Sequence, residues 1–515
     1  MSAGNSPLSL GKAWIFSAAT GFLALGWELV WTRLYNFTTA SRAIAFGAML
    51  GSYLLGLALG SLLSRRWHHL KAMEAGALAQ LALLIRKAHF FCFLIAPVVS
   101  WLVLFMPWQW TLLLVVAGSA SLGVILPMLC HWAVPPDDRA GQRVAGIYLA
   151  NIIGSGAGSL LTGFLFLDWL PLSTYSVLLL LSACGLSWWI AGGEMRLRTL
   201  TLYFAVAAAA YFMGFGGFYE RLQYKNKYTM GMRFAQVIES KHGVVTVDTN
   251  GTIYGNGAYD GSFDTSLHPG AWLVRPYFIS ALHPQPRRVL VIGVSGGAWT
   301  QILANHPDVE EVIGVEISDA YLRIIAQYPS VSSLLTNPKV HFVIDDGRRW
   351  LRHYPQDKFD LVIMNTTHHW REFASALLSR EFLQLVKGHL NPGGLAAWNC
   401  TESARATKTG MDVFPYTMML YNFCVGSEGP LLPDKSRWRD VLQRWRLDGR
   451  PVVDTSTPAG QKELEDLAAF ADLEAPFDRE HRWCWINRSH MEQAWGTAEP
   501  ITEDNLGHEF QWGNW

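Results

Sequence analysis

The sequence predicts a chain in two parts: a polytopic α-helical membrane domain, then an α/β domain on an open, mostly parallel sheet with a small β-hairpin region at its start. Three observations carry this. The 515 residues exceed what one core organises, at roughly 100–200 residues per domain. Up to Glu220 the chain holds only 12 Lys and Arg and 7 Asp and Glu, whereas the remainder is charged like ordinary soluble protein. Beyond Arg287, short apolar segments alternate with amphipathic stretches of helix length. Across the chain 41 basic side chains balance 41 acidic ones, so neither a nucleic-acid partner nor an acidic disordered tail is expected.

A spanning helix needs about 20 mostly apolar residues. Such runs lie at 13–36, 42–64, 88–107, 110–134, 144–168, 172–191 and 198–218, with a shorter run at 71–85 that reads as a half-span. Seven or eight spans over 1–219 make the lipid bilayer an expected partner. The first run is longer than a signal core, lacks a small-residue cleavage pattern and is followed by others, so the protein is expected to stay in the membrane. Eight spans would put both ends on one side, with Arg65, Arg66 and Lys71 beside Arg221, Lys225 and Lys227; Arg86, Arg139, Arg143 and Arg196 dilute that bias.

Within the spans, Gly56 with Gly60 and Gly154 with Gly158 allow helix backbones to approach closely. Glu28 and Asn151 are polar groups at membrane depth. For Glu28, structural pairing and a ligand or proton pathway both stay open. Arg33 lies about 140° round the helix from Glu28 and reads as an interfacial anchor. Trp108, Trp110, Trp188 and Trp189 read as ordinary interfacial residues. The six cysteines are dispersed, without CxxC spacing, and indicate neither a disulfide framework nor a zinc site; no metal is expected.

The second part opens with VVTVD, Asn250-Gly251 and TIY, the pattern of a hairpin with a tight primed turn. Five strand cores follow, apolar on both faces: VLVIG (289–293), EVIGVE (311–316), VHFVI (340–344), FDLVIM (359–364) and GLAAWN (394–399). In such sheets ligands bind beyond the carboxyl ends of the strands. The first strand runs into the turn Gly293-Val-Ser295-Gly-Gly297, where missing side chains let ligand atoms approach the backbone, although such turns are commonly structural. Glu316 closes the second strand, where a carboxylate can accept both hydroxyls of a ribose. Asp345 and Asp346 close the third. A carboxylate there suits an adenine amino group, and either aspartate could instead cap the next helix. Together these residues lay a nucleoside across the sheet with a non-phosphate group at the glycine turn, as S-adenosylmethionine-type ligands are held.

The segments RRVLVIGVSGGAW, EVIGVEIS, VHFVIDDGRRWL, FDLVIMN and FLQLVKGHLNPGG, in this order, resemble the spermidine synthase (polyamine aminopropyltransferase) branch of the class I methyltransferase fold. HGVVTVDTNGTIYG resembles that family's small N-terminal sheet. LGWELVWTR, GIYLANIIGSGAGSLLTGF and PITEDNLGHEF are similar to the membrane-fused members. The resemblance implies a Rossmann-like class I methyltransferase domain that takes S-adenosylmethionine or its decarboxylated form as co-substrate. It assigns Glu316 to the ribose, Asp346 to the adenine side, and Gly293 and Gly297 to the turn; a homodimer or membrane complex is a further implication. Where the family carries a turn aspartate this chain has Gly296. After the fourth strand the family has an aspartate as base and another three positions on, and this chain has Asn365 and His368.

That difference bears on the chemistry, because an attacking amine must lose a proton near the sulfonium and a carboxylate serves as both base and counter-charge. Asn365 can orient a group but takes no proton at neutral pH. His368, with an ordinary pKa near about 6.5, can act as base but repels a polyamine when charged. This argues against putrescine and leaves a less cationic small-molecule or membrane-located acceptor, or none. Glu402, Asp260 and Tyr254 are further candidates for the acceptor side, and the charges of RWRDVLQRWR read as a solvated helix face.

The expected organisation is a membrane domain at 1–219, a small β region at 220–285, the methyltransferase-fold domain at 286–430 and a C-terminal extension at 431–515. The expected function is a membrane-bound transferase of an aminopropyl or methyl group, an integral membrane protein (of the inner or cytoplasmic membrane if the source is bacterial) with its soluble domain in the cytoplasm. The alternatives are a non-catalytic nucleoside-binding transporter or sensor, and a structural subunit of a membrane assembly.

Overall fold

The computed structural model describes residues 8–65, 76–192, 197–267, 273–365, 368–371, 374–401, 403–471 and 485–506. The chain divides into two compact units: residues up to 249 together with 255–258, and residues 250–254 together with 259 onwards.

The first unit is helical: α1 (Leu10–Thr38), α2 (Ala43–Ser64), α3 (Ala77–Leu102), α4 (Trp108–Gly123), α5 (Ile125–Ala133), α6 (Ala140–Leu161), α7 (Leu167–Trp169), α8 (Leu172–Ile190), α9 (Leu197–Phe215) and α10 (Phe218–Tyr224). Among the described residues six helical stretches are long and apolar enough to cross a membrane, and Tyr203–Phe215 is a shorter apolar helix. The short run at 71–85 is not a separate element where it is described. From Ala77 it continues unbroken through Arg86 and Lys87 into the next span. Two adjacent cations interrupt hydropathy, but Lys and Arg are good helix formers and do not break the backbone. Arg86 is buried, with its guanidinium over the Tyr203 ring.

Close backbone contact is what the glycine pairs provide. A Cβ at Gly154 or Gly158 would strike the carbonyl oxygens of Ala18 or Phe22 on α1, and one at Gly60 would strike that of Ala120 on α4. Asn151 Nδ2 donates to the Ser17 carbonyl at 3.0 Å and Ser17 Oγ to that of Ile147 at 2.8 Å, so this intramembrane amide joins α6 to α1. Between α6 and α7 the helix widens into a π turn at Thr162–Phe166.

Two cations behave otherwise than their sequence positions suggest. Arg33 is 7% exposed; it pairs with Glu239 at 3.6 Å and donates to the carbonyls of Leu167 and Ser240. Glu239 also accepts from the Leu172 N–H. Arg33 is thus a buried tie to strand β1 (Gln236–Ser240), which pairs antiparallel with β2 (Gly243–Val247). Arg221 is likewise buried, stacked on Trp101 and hydrogen-bonded to Ser100 Oγ. Sequence spacing showed these charges but not the carbonyls and carboxylate folded against them.

Strands β3 (Thr252–Gly255) and β4 (Ala258–Ser262) follow. The tight primed turn falls at Asn256-Gly257, where both residues have positive φ, rather than at Asn250-Gly251, where Gly251 alone does. Asn256 secures that choice, because its N–H donates to the Val244 carbonyl and its Oδ1 accepts from the Val244 N–H.

The second unit contains β5 (Arg288–Ile292), β6 (Glu311–Glu316), β7 (Val340–Ile344), β8 (Phe359–Met364), β9 (Leu390–Asn399), β10 (Tyr416–Leu420), β11 (Phe423–Ser427), β12 (Arg446–Leu447), β13 (Arg450–Pro451) and β14 (Trp485–Asn487). Its helices are α11 (Val274–Leu282), α12 (Ala298–Ala304), α13 (Asp319–Ile325), α14 (Gly347–His353), α15 (Arg380–Gly388), α16 (Ala404–Val413), α17 (Lys435–Arg444), α18 (Pro458–Ala468) and α19 (Arg488–Trp495). The eight-stranded sheet has the order β14-β10-β11-β9-β8-β5-β6-β7. β5 through β9 run parallel, and β11 returns antiparallel beside β9. Strand order reverses between β5 and β8, which makes the carboxyl ends there the switch-point crevice of a Rossmann-like, methyltransferase-type sheet.

The tail is part of this unit. β14 adds an edge to the sheet, and Met491 and Ile501 lie in its core. Of RWRDVLQRWR only one face is solvated: Trp438 and Trp445 are buried against Phe278 and Tyr277 of α11. Cysteines scattered in sequence also meet here, with Cys400 Sγ 2.9 Å from Cys424 Sγ on the neighbouring strand; Cys484 lies outside the described residues.

Candidate functional site

The glycine turn between β5 and α12 needs backbone conformations that side chains resist: Gly293 has φ 85° and Gly297 φ 80°. Ser295 adopts φ 50° and is held there, its N–H donating to Glu316 and its Oγ to the Asp260 carbonyl at 2.7 Å. Glu316 is buried at the end of β6. Its Oε2 accepts from the N–H groups of Val294 and Ser295 at 2.9 and 3.1 Å, and its Oε1 from that of Ser318 at 3.2 Å. Burial raises its pKa, against the pull of these donors.

At Gly296 an added Cβ would meet Ile253 and Phe263, and Phe263 is stacked on Tyr328 at 3.6 Å. The turn is therefore covered by apolar side chains at this point.

Asp346 is exposed and caps α14, accepting from the Arg349 N–H at 2.8 Å. Asp345 accepts from the Asp346 N–H and pairs with Arg349. Beside them at the carboxyl ends of β6 and β7, Ile317 and Ile344 are 49% and 44% exposed, an uncovered apolar surface next to an acidic one.

On the other side of the turn is a cavity of about 600 Å³ at the carboxyl ends of β5, β8 and β9. Ser295, Asn365 and His368 line it, whereas Glu316, Asp345 and Asp346 do not. The candidates named from sequence thus fall into two groups, one on each side of the glycine turn. His368 stacks on Trp370, with ring centroids 4.8 Å apart and planes 12° apart. Asn365 is fixed by its N–H bonding the Ile292 carbonyl. Asp260 also lines the cavity, and both its oxygens are engaged, Oδ1 by Arg371 Nη1 at 2.8 Å and Oδ2 by the Tyr321 hydroxyl. Burial works against the Arg371 charge, but Asp260 and Tyr321 outweigh it and hold its pKa above the ordinary value. Tyr254 lies on β3 away from the cavity, and Glu402 lies outside the described residues.

Several cavity residues carried no signal in the sequence. Arg275 on α11 stacks on Trp299 and Phe423, 5.3 and 5.2 Å from their ring centroids, and donates to Asn422 Oδ1. Burial lowers its pKa to about 10. Asn399 ends β9 and Thr401 lies just beyond it, so the rule of looking at the carboxyl ends of strands would have found them. Among the described residues no three His, Cys, Asp or Glu side chains gather as a metal-binding set.

Residues 278–422 match the spermine/spermidine synthase domain family. The chain is 34% identical over 114 residues to a spermidine synthase of Schizosaccharomyces pombe, covering 22% of this chain and 38% of that protein. It is 30% identical over 195 residues to a polyamine aminopropyltransferase of Mycobacterium tuberculosis, covering 36% of this chain and 37% of that one. It thus spans well under half the length of either relative. Among solved structures, the spermidine synthase of Thermotoga maritima aligns at 19% identity over 46% of this chain and 89% of its own, with a TM-score of 0.33.

Proposed function

We propose that this chain, which carries a spermine/spermidine synthase domain, is a membrane-anchored transferase that moves an aminopropyl group from decarboxylated S-adenosylmethionine to a small acceptor. The cavity at the carboxyl ends of β5, β8 and β9 carries the reading, since it opens at the switch point of the sheet, beside the glycine turn. The polyamine aminopropyltransferases among its relatives support the choice of an aminopropyl over a methyl group.

In this reading the nucleoside lies over Ile317 and Ile344 with its adenine towards Asp345 and Asp346. Glu316 accepts three backbone donors, and a carboxylate has about four acceptor sites, so one stays available to a ribose hydroxyl. The sulfonium then reaches past Ser295 to the cavity. An acceptor amine there attacks the carbon beside sulfur; the N–C bond forms, the C–S bond breaks and methylthioadenosine leaves. Asn365 orients the amine and His368 takes its proton. The six long apolar helices support the membrane anchor, and in this reading the α/β domain faces the cytoplasm.

The test is titration of the full-length protein in detergent with S-adenosylmethionine, its decarboxylated form and methylthioadenosine, with product analysis of the same samples. Preference for the decarboxylated form with methylthioadenosine release is expected. Preference for S-adenosylmethionine would turn the case to methyl transfer, and absence of nucleoside binding would end it.

A further inference from the structure

We propose that Asp260 is a positioning residue for the transfer: its main chain holds the glycine turn and its carboxylate holds the His368 segment, so the nucleoside side and the acceptor side of the site keep a fixed separation. This rests on the transferase reading above. The argument follows the hydrogen bonds outward from Glu316. Glu316 Oε2 accepts from the Ser295 N–H at 3.1 Å, Ser295 Oγ donates to the Asp260 carbonyl at 2.7 Å, and Asp260 Oδ2 accepts from the Tyr321 hydroxyl. Tyr321 stands on α13, which begins at Asp319, three residues after Glu316. Bonds and chain thus close a ring through the end of β6, the glycine turn, β4 and α13. Asp260 and Tyr321 are 9% and 6% exposed, so water competes little for these bonds.

Arg371 is an arm on that ring. Its Nη1 donates to Asp260 Oδ1 at 2.8 Å, a charge-assisted bond of the stronger kind, and its own N–H donates to the His368 carbonyl at 3.1 Å. Within the turn so closed His368 stacks on Trp370, and His369 Nδ1 donates to the Thr401 carbonyl at 3.0 Å just beyond β9. Residues 368–371 lie outside any helix and make no regular sheet ladder, so side-chain ties of this kind set where they stand. Their position matters because the amine must meet the carbon opposite the sulfur as the N–C bond forms and C–S breaks, and a displacement of about 1 Å costs about 100-fold in rate. The two ties of Asp260 are separable. Ser295 is held by a main-chain carbonyl, which any substitution at 260 keeps, whereas Arg371 is held by the side chain.

The experiment is hydrogen exchange by mass spectrometry on the full-length protein in detergent, with and without methylthioadenosine. In Asp260→Ala, and in Arg371→Met from the other end of the pair, peptides containing residues 368–371 are expected to exchange about 10- to 100-fold faster than in the wild type, the range of a hydrogen bond to a charged group. Peptides containing residues 293–297 should keep their protection, and methylthioadenosine affinity by calorimetry should stay within about threefold, as for separable sites. Asp260→Asn retains an acceptor oxygen but loses the charge; it should give an intermediate exchange rate, and it serves if the alanine variant fails to fold. Release of methylthioadenosine from decarboxylated S-adenosylmethionine, with 1-aminobutane and 1,4-diaminobutane as acceptor probes, should fall about 100-fold in kcat in the alanine variant while KM for the sulfonium stays nearly unchanged. Failure of methylthioadenosine to bind the wild type would remove the transferase reading, whereas exchange at 368–371 in the ligand-free protein would still decide the tether. Unchanged exchange at 368–371 in Asp260→Ala and Arg371→Met would overturn the proposal, as would loss of nucleoside affinity in step with it, the mark of a merely structural residue.

Discussion

Three backbone N–H groups converge on the carboxylate of Glu316, so its first effect is on the shape of the glycine turn. Each buried donor left without a partner costs about 1–3 kcal/mol. Glu316→Ala should therefore lower the thermal midpoint of the domain as well as weaken nucleoside binding, and Glu316→Gln, which keeps one oxygen, should lower it less. An unchanged midpoint in the alanine variant would contradict this role. A second residue makes stability depend on pH. His306 is buried beside Trp445, its Nδ1 accepts from the Asp308 N–H, and burial lowers its pKa to about 3. The unfolded chain binds that proton near about pH 6.5 and the folded one does not, so His306 lowers stability progressively as pH falls from about 6.5 towards 3, by about 1.4 kcal/mol per unit. Denaturant midpoints measured across that range in the wild type and in His306→Phe should diverge. Parallel curves would show that the histidine titrates elsewhere.

Among the elements, the helix pairs of the first unit are the most exacting. On α6, a side chain at Gly154 meets the Ala18 carbonyl, whereas one at Gly156 meets nothing within 4 Å. Gly154→Ala should thus loosen α6 from α1 and reduce the folded yield in membranes, while Gly156→Ala should be neutral or slightly stabilising; equal effects would remove the close-approach argument. Much of this level was legible beforehand. Strands β6, β7 and β8 fall on the predicted residues because a strand buried on both faces is a short apolar run with sharp ends. The primed turn was misjudged because two Asn-Gly pairs stand six residues apart, and the contacts of Asn256 with β2 decide between them. The site was half legible. The glycine turn, Glu316, Asn365 and His368 lie at the ends of strands that periodicity locates, but the cavity wall also joins residues 275, 399 and 422. Amides and arginines at strand and helix ends leave no periodic trace.

On the scale of the molecule, charge divides as the two units do: a nearly uncharged helical unit and an α/β unit whose charges are dense and frequently paired. The helical unit predicts that the whole protein stays with the membrane fraction after alkaline carbonate washing and is released by detergent. Release by carbonate alone would mean that these helices do not span. The boundary between the units is crossed by the chain three times, since residues 255–258 belong to the first unit and their neighbours on both sides to the second. A gene cut once, at any of these crossings, gives no two complete modules: cutting after 249 takes the Asn256 bonds to Val244 away from the helical half, and cutting after 258 leaves Ile253, which covers Gly296, on the wrong fragment. The chain passes back and forth between the units, so no single cut divides them into two contiguous segments.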